Sequence, residues 1–354
     1  MSQFHSVKIR DLRQETPDSV SIAFDVPESL QSKFSFVAGQ HVIVRRMIDG
    51  EDVRRTYSFC SAPTDGDFRI AIRKVEGGAF SSFANEDLKI GDMIEIFEPM
   101  GEFTLPIDAA RKTHHIGFAV GSGITPIMSM IRDVLSREPL SHFHLYYGNR
   151  DADHTIFAEA IAALKNTYME RFSYQLFMSR QAVDIEFFNG RITGEKAAVL
   201  HANIFSRLDV SGYYLCGPIS MIDDVRTQLL AAGEAEDKIH SELFYADGEA
   251  DEARVSKPEA IAKSRVKIIS DGREIVVDYR DEDGTILDAV LKAGIDVSFA
   301  CKGGVCATCR ARVMFGEADM VLNYGLEPEE IADGFILTCQ SVPTSKEVTI
   351  SFDE

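Results

Sequence analysis

The sequence predicts a multidomain protein that combines β and α/β folds: an antiparallel β-barrel, then a parallel α/β domain, then a small C-terminal unit. Three observations predict this order. The chain has 354 residues, which exceeds the usual size of a single domain. Its first hundred or so residues form short runs that alternate apolar and polar side chains. From about residue 114, apolar runs alternate instead with segments of helical periodicity.

The N-terminal barrel is predicted from its runs of period two and from the turns between them. Turn signals such as Asp49-Gly50 and Gly91-Asp92 separate the runs. This spacing is typical of an antiparallel barrel with little helix. The predicted strands are residues 4–9, 20–26, 41–45, 53–59, 68–73 and 93–97.

The central domain is predicted from the alternation of apolar strands with helical segments. The segments 127–135 and 155–164 carry apolar residues at helical spacing. Because strands that alternate with helices form parallel sheets, this part is predicted to be an α/β domain. The predicted strands are residues 115–120, 142–147, 174–178 and 212–215.

A change of composition separates the C-terminal unit from the rest. Residues 246–262 contain five acidic side chains, one proline and few large apolar residues, as in a solvated linker. Beyond them, two β-like runs precede a helical segment at 286–293. We therefore divide the chain into residues 1–108, residues 109–245, a linker at 246–262 and a C-terminal domain at 263–354.

Composition and charge exclude several classes of function. The chain has 37 basic and 56 acidic residues, and its net charge of -19 repels nucleic acids and anionic membranes. A hydrophobic content of 45% argues against wholesale disorder. The N-terminus has no apolar signal core, and the longest uncharged apolar stretch, residues 116–131, is too short to span a membrane. We expect a cytoplasmic protein with neither nucleic acid nor membrane as partner.

Three of the six cysteines are crowded near the C-terminus. Cys301, Cys306 and Cys309 have the spacing C-x4-C-x2-C, and Cys339 follows further along the chain, which is the plant-type pattern for a [2Fe–2S] cluster. Two irons bridged by two sulfides need four thiolates. A tight loop can supply three, and a separate strand at 335–337 can deliver the fourth. Glycines 303 and 304 allow this loop to wrap closely and to direct amides toward the sulfur atoms.

Other interpretations of the cysteines remain open at this point. A zinc site could use the same four side chains, although zinc sites usually combine two C-x2-C pairs. Disulfides fit less well in a chain without an export signal. Cys60 and Cys216 follow apolar runs and are interpreted as small buried residues.

A glycine-rich segment, G-S-G-I-T-P at residues 121–126, follows a predicted strand and opens a helix. Its glycines permit a sharp turn and the close approach of a diphosphate, and the helix N-terminus offers free amides. Pro126 replaces the third glycine of the dinucleotide fingerprint and suits the first helical position. The segment predicts a dinucleotide site, with a purely structural turn as the alternative.

The ends of the next two strands bear on the choice of dinucleotide. The second strand is followed by Arg150, and the third by Ser179 and Arg180. An acid near the adenosine ribose is typical of NAD sites, whereas arginine or a hydroxyl suits a 2′-phosphate. Ser179 and Arg180 therefore favour NADPH. Asp151, near the end of the second strand, keeps NADH as the alternative.

Two short motifs in the barrel complete the pattern. R-T-Y-S at 55–58 ends one strand, and G-G-A-F-S at 77–81 follows the next. An arginine fork suits a phosphate, an aromatic face suits a flat ring, and amides beside glycine suit a diphosphate. With G-S-G-I-T-P, C-G-P at 216–218 and the cysteine loop, in this order, they resemble the ferredoxin–NADP reductase family with a C-terminal ferredoxin domain. The resemblance spans essentially the whole chain.

The resemblance implies roles for individual residues. Ser58 would lie near flavin N5 and Cys216 near the nicotinamide, and these two with Glu242 are the candidate catalytic residues. A diphosphate bound at Gly78 and Ser81 favours FAD over FMN. Cofactor contacts are expected from Arg55, Thr56, Tyr57, Ser58, Ile72, Lys74, Gly78, Phe80, Ser81, Gly121, Gly123, Thr125, Pro126, Arg150, Ser179, Arg180, Cys216, Gly217 and Phe244.

The resemblance also implies a β-grasp fold for residues 263–354 and a reaction. NADPH would give a hydride to FAD, which would pass electrons singly to the [2Fe–2S] cluster and on to an oxygenase partner. Two other classes remain open: a redox-sensing module without a dedicated oxygenase, and an NADPH-dependent flavin oxidase with a structural zinc. Among reductases, the oxygenase partner itself is open, and a hydroxylase of aromatic acids or steroids is one alternative.

Overall fold

The computed structural model describes residues 4–244 and 262–354. Contacts divide the chain into two compact units, one made of nearly all residues up to 244 and the other chiefly of the C-terminal residues. The predicted linker, residues 246–262, lies outside the described residues except for Ala262. Each unit has its own hydrophobic core.

The N-terminal part of the first unit is an antiparallel β-barrel, as the sequence predicts. Its strands are β1 (His5–Thr16), β2 (Ser19–Asp25), β3 (His41–Ile48), β4 (Glu51–Ser58), β5 (Phe68–Arg73) and β6 (Met93–Ile96). They form one sheet in the order β4-β3-β6-β1-β2-β5. A bridge between Phe59 and Ile70 brings the end of β4 back to β5 and closes the sheet.

One helix in this part, α1 (Ala79–Glu86), departs from the expectation of little helix. Gly78 is its N-cap, and Phe80 and Ala84 face the core of the barrel. Eight residues include too few apolar positions for a helical period to be visible in the sequence. The sequence therefore indicates only a turn that follows a strand.

The second part of the first unit is a parallel α/β domain, as predicted. Its strands are β7 (His114–Val120), β8 (His142–Asn149), β9 (Phe172–Met178), β10 (Val210–Gly217) and β11 (Ile239–Leu243), and its helices are α2 (Ile124–Arg137), α3 (Ala158–Thr167), α4 (Gly194–Asn203) and α5 (Ile219–Ala231). The strand order is β11-β10-β7-β8-β9, and every pair is parallel. The fifth strand, β11, is not predicted, because its sequence I-H-S-E-L has only two large apolar residues.

The strand order of this sheet fixes where a ligand can bind. From β7 the chain proceeds outward through β8 and β9, and then returns to β10 and β11 on the other side of β7. The order therefore reverses between β7 and β10. In open α/β sheets, ligands bind beyond the carboxyl ends of the strands at such a switch point.

The C-terminal unit has a five-stranded mixed sheet, a separate sheet of two short strands, and a helix that packs on its core. Its strands are β12 (Lys263–Ser270), β13 (Arg273–Arg280), β14 (Arg310–Phe315), β15 (Ala318–Met320), β16 (Phe335–Leu337), β17 (Ser341–Pro343) and β18 (Glu347–Ser351), and its helices are α6 (Ile286–Lys292) and α7 (Pro328–Ala332). The main sheet has the order β13-β12-β18-β14-β16. Helix α6 buries Ile286, Leu287 and Val290 in the core of this unit, which is the arrangement expected of a β-grasp domain.

None of the helices within residues 4–244 and 262–354 has the length and apolar character needed to cross a bilayer.

Candidate functional site

The glycine loop lies at the switch point of the α/β sheet. Gly121 has a φ of +55°, and Gly123 is the N-cap of α2. A Cβ atom added to Gly123 would lie 2.2 Å from the carbonyl oxygen of Cys216 in β10. Among the described residues no side chain caps α2, and the N–H of Ile124 donates back to the carbonyls of Gly121 and Ser122 in the preceding 3-10 turn. The glycines therefore leave room for a diphosphate to approach the backbone at the positive end of the α2 dipole.

Pro126 occupies the third position of α2, after Ile124 and Thr125, and not the first as the sequence suggested. The reason is that a short 3-10 turn, Gly121–Gly123, already starts the winding before α2 begins. The N–H groups of the first helical turn have no partner within the helix, so a proline is accepted here too.

The carboxyl ends of the parallel strands bring the other predicted dinucleotide residues to the same edge. Arg180, directly after β9, donates its backbone N–H to the carbonyl of Arg150 at 2.8 Å. Ser179 and Arg180 are both exposed. The alternative acid, Asp151, accepts hydrogen bonds from the backbone N–H of His154 at 3.0 Å and from its ring Nδ1 at 2.6 Å. This carboxylate is therefore engaged in local capping.

Two residues at this edge were missed by the sequence interpretation. The Nη1 atom of Arg73, at the end of barrel strand β5, lies 3.2 Å from the position of a Cβ at Gly121. Asp18, in the turn between β1 and β2, forms ion pairs with Arg73 at 3.3 Å and with Arg150 at 2.7 Å. These contacts join the barrel to the α/β domain beside the glycine loop. Nothing in the sequence shows that β5 ends there.

Two of the candidate catalytic residues are brought into direct contact. The Ser58 hydroxyl donates to Oε2 of Glu242 at 3.0 Å. Cys216 is paired with Glu242 in the register of β10 and β11, and burial raises the pKa of its thiol. His41, which the sequence interpretation missed, has Nδ1 3.6 Å from Oε1 of Glu242. Its Nε2 atom is buried without a hydrogen-bond partner in the described part of the chain.

The first turn of α1 forms a second anion cradle. The Ser81 hydroxyl accepts from the backbone N–H of Val75 at 3.1 Å and donates to the carbonyl of Gly78 at 3.2 Å. A Cβ at Gly78 would lie 2.5 Å from the Ser81 hydroxyl. Gly78 has no side chain to cap the helix, and the free amides of the first turn suit the diphosphate of a flavin nucleotide.

The remaining predicted barrel residues differ in their exposure. Ile72 and Phe80 are fully buried in the barrel core, so any contact with a cofactor would come from their backbone. Lys74 pairs with Glu86 on the surface.

Tyr57 contacts the Phe80 ring, with centroids 5.7 Å apart. Arg55 donates to the carbonyl of Arg54 at 2.9 Å, and Thr56 lies beside it on β4.

Three further predicted cofactor residues are packed against neighbouring parts of the α/β domain. The Thr125 hydroxyl donates to the carbonyl of Ser122 at 3.1 Å, and Thr125 is buried. Gly217 has a φ of +156°, and a Cβ there would lie 3.0 Å from Val120. Phe244 packs on the core cluster that includes Cys216.

The four cysteines of the C-terminal unit form two pairs. A hydrogen bond from the Cys306 thiol lowers the pKa of Cys301, and one from the Cys339 thiol lowers the pKa of Cys309. The Cys301 sulfur also accepts from the backbone amides of Gly303 at 3.3 Å and Cys306 at 3.4 Å. Two pairs are what a two-iron cluster requires, because each iron takes two thiolates.

The loop around these cysteines is closely packed. Gly304 has a φ of +76°, and a Cβ there would lie 3.0 Å from the carbonyl of Leu322. The Thr338 hydroxyl donates to the carbonyl of Cys309 at 2.9 Å and fixes the fourth cysteine beside the loop. The pairing of the thiols and the amides directed at sulfur therefore fit a [2Fe–2S] cluster.

Comparisons with protein families agree with this division of sites. Residues 6–105 match an oxidoreductase FAD-binding domain, residues 118–227 an oxidoreductase NAD-binding domain, and residues 268–344 a 2Fe-2S iron-sulfur cluster binding domain. The last match favours the cluster over the zinc alternative. Fold, sites and domains together define an NAD(P)H-dependent oxidoreductase with FAD and a [2Fe–2S] cluster as cofactors. The exact domain boundaries remain predictions.

Relatives over the full length identify the family. The chain is 38% identical to a subunit of 1,2-phenylacetyl-CoA epoxidase from Escherichia coli K12, over 100% of this chain and 99% of that one. It is 30% identical to the ferredoxin reductase component of 3-ketosteroid-9-alpha-monooxygenase from Rhodococcus rhodochrous, over 96% and 94%. The chain belongs to the ferredoxin reductase family that contains these two proteins.

A solved structure shows the same fold. Phthalate dioxygenase reductase, described as a modular structure for electron transfer from pyridine nucleotides to [2Fe–2S], matches with a TM-score of 0.63 at 24% identity. The match covers 99% of this chain and 98% of that one.

Proposed function

We propose that the protein passes electrons from NADPH through FAD and a [2Fe–2S] cluster to an oxygenase, and that this oxygenase is a di-iron phenylacetyl-CoA epoxidase of phenylacetate degradation. The observation that carries the proposal is the 38% identity to a subunit of that epoxidase over the whole length of both chains. Sequence stretches in the α/β domain and in the C-terminal domain support it. They are Y-G-N-R at 147–150, I-H-S-E-L-F at 239–244, C-K-G-G-V-C-A-T-C at 301–309 and N-Y-G-L-E-P-E-E-I-A-D-G-F-I-L-T-C-Q at 323–340.

The chain's own residues would prepare the transfer. Bound FAD would supply the chemistry that links hydride transfer to one-electron transfer, and the protein supplies position and electrostatics. The glycine loop and the positive end of the α2 dipole behind Gly123 would bind the dinucleotide diphosphate, and the α1 amides behind Gly78 the flavin diphosphate. Ser58 and Glu242 hold a proton between Oγ and Oε2. Cys216 stays a neutral thiol, since burial raises its pKa, and acts by shape and not as a nucleophile.

The oxygenase partner can be tested by reconstitution. We expect the purified protein to support NADPH-dependent epoxidation of phenylacetyl-CoA when it is mixed with the oxygenase subunits of such an epoxidase. The control is the oxygenase component of a ketosteroid monooxygenase. Product formed only with the steroid enzyme would identify the other class of oxygenase. NADPH oxidation without electron transfer to either enzyme would support a redox-sensing module.

The preference for NADPH rests on Arg180. We expect Arg180→Ala to raise the Kd for NADP+ by about 10- to 100-fold, because one charge-assisted contact with the 2′-phosphate is lost. The Kd for NAD+ should stay nearly constant. Arg207→Ala is the matched control: this exposed arginine of the same domain precedes β10, at the opposite edge of the sheet. Equal losses for both dinucleotides would contradict the assignment.

We also propose that the protein works in the cytoplasm. No cysteine in the described part of the chain is paired in a disulfide, and the four proposed cluster ligands must remain reduced to bind iron, which fits a reducing compartment.

A further inference from the structure

We propose that the Asp18 carboxylate is a built-in competitor of the dinucleotide: it holds Arg73 and Arg150 at the glycine loop and lowers their affinity for phosphate, so that the spent dinucleotide can leave. This inference rests on the proposed use of the loop as a dinucleotide site. Asp18 belongs to the barrel, whereas Arg150 and the loop belong to the α/β domain.

The geometry of Asp18 is that of a carboxylate fixed from both sides. Its Oδ2 atom accepts from Nη2 of Arg150 at 2.7 Å and from Nε of Arg73 at 3.3 Å. Its Oδ1 atom accepts from the hydroxyls of Thr16 at 2.8 Å and Ser19 at 3.3 Å. Its backbone carbonyl accepts from the N–H of Lys74 at 2.7 Å, which ties the turn to the end of β5.

The position of the two guanidinium groups makes this contact relevant to binding. Arg73 reaches the glycine loop, because its Nη1 atom lies 3.2 Å from the position that a Cβ on Gly121 would occupy. Arg150 follows β8, at the same carboxyl edge of the sheet. Both side chains remain about one-third exposed, at 38% and 33%, so they can reach a ligand that enters from solvent.

Charge counting gives the direction of the effect. Two guanidinium groups and one carboxylate leave a single positive charge beside the loop, and a carboxylate presents the same kind of oxygen to arginine that a phosphate does. An entering diphosphate must therefore share or displace the Asp18 contact. Without Asp18, one more positive charge would face the ligand, and the ligand would be held more tightly.

The test measures binding of NADP+, which cannot be turned over, to the purified holoprotein by calorimetry. Asp18→Asn keeps a side-chain oxygen for Thr16 and Ser19 but removes the charge. We expect its Kd for NADP+ to fall roughly five- to tenfold at low ionic strength, with the difference shrinking as salt is added. Asp25→Asn is the matched control, since this exposed carboxylate lies at the other end of β2. Its Kd should equal that of the wild type.

A second experiment separates two effects of Asp18: competition with the ligand phosphate for the arginines, and general charge repulsion of the ligand. The Arg150→Gln variant by itself should bind NADP+ more weakly. When Asp18→Asn is added to this variant, the fold change in Kd should be less than half of the fold change that Asp18→Asn causes in the wild-type protein. Unchanged or weaker binding by Asp18→Asn, at an unaltered melting temperature, would overturn the proposal. An effect of Asp25→Asn equal to that of Asp18→Asn would also overturn it. If the wild type bound no NADP+, the proposed function itself would fail, and the role of Asp18 with it.

Discussion

The Cys306→Ser variant is expected to keep the reduction of its flavin by NADPH and to lose electron delivery to the oxygenase. Cys306 forms one of the two thiol pairs of the C-terminal unit, and without its thiolate one iron lacks half of its protein ligands. Loss of a residue that only hydrogen-bonds to a metal ligand lowers metal affinity or activity roughly 10- to 100-fold. Loss of a ligand itself should lower cluster binding by more than that. Most of the flavin and dinucleotide residues belong to the other unit, which has its own cores.

Three measurements check this expectation. Iron and acid-labile sulfide should fall, the visible absorption of the cluster should disappear, and rapid-mixing absorbance at the flavin band should keep the wild-type rate of reduction. Cys60→Ser is the control, because Cys60 is buried in the first unit and its sulfur donates to the carbonyl of Arg69 at 3.3 Å. It should retain the full cluster content. A variant that loses flavin reduction as completely as electron delivery would show that the two parts are not independent.

The sequence predicts those parts of the fold in which apolar residues recur at a regular spacing. It does not predict the elements that lack such a spacing. The parallel sheet was predicted from four apolar strands, whereas β11, with His240, Ser241 and Glu242 in its middle, carries no such signal. Helix α1 was missed because its eight residues follow directly on a turn. In both cases tertiary contacts decide the structure: β11 pairs along β10, and α1 packs Phe80 into the barrel.

The candidate sites divide in the same way. The cysteines and the glycine loop were found because their chemistry requires residues at fixed spacing within one segment. His41, Asp18 and Arg73 were missed because each acts on a segment far away in the chain. Asp18, for example, reaches Arg150 only because the barrel and the α/β domain pack together there. A single sequence has no local pattern that records such a contact, so the structure is needed to find it.

Replacement of Gly123 by alanine is expected to lower the melting temperature and to abolish tight binding of NADP+. The φ of Gly123 is -61°, which alanine adopts freely, so the effect comes from space and not from backbone strain. The added Cβ would lie 2.2 Å from the carbonyl oxygen and 2.6 Å from the carbonyl carbon of Cys216. These are backbone atoms of a central strand and cannot rotate away. We expect a loss of about 1–3 kcal/mol or more in the free energy of unfolding.

The same contact links stability to function at this position. To admit the methyl group, the loop must lift from β10, and the N-terminus of α2 must move with it, away from the position in which its positive dipole end faces a diphosphate. Ser122→Ala is the control, because Ser122 precedes Gly123 in the same turn and is partly exposed. The melting temperature from thermal unfolding and the Kd for NADP+ from calorimetry, measured on both variants, test this prediction. A Gly123→Ala protein with wild-type melting and wild-type Kd would show that the loop does not press on β10 and that the dinucleotide is bound elsewhere.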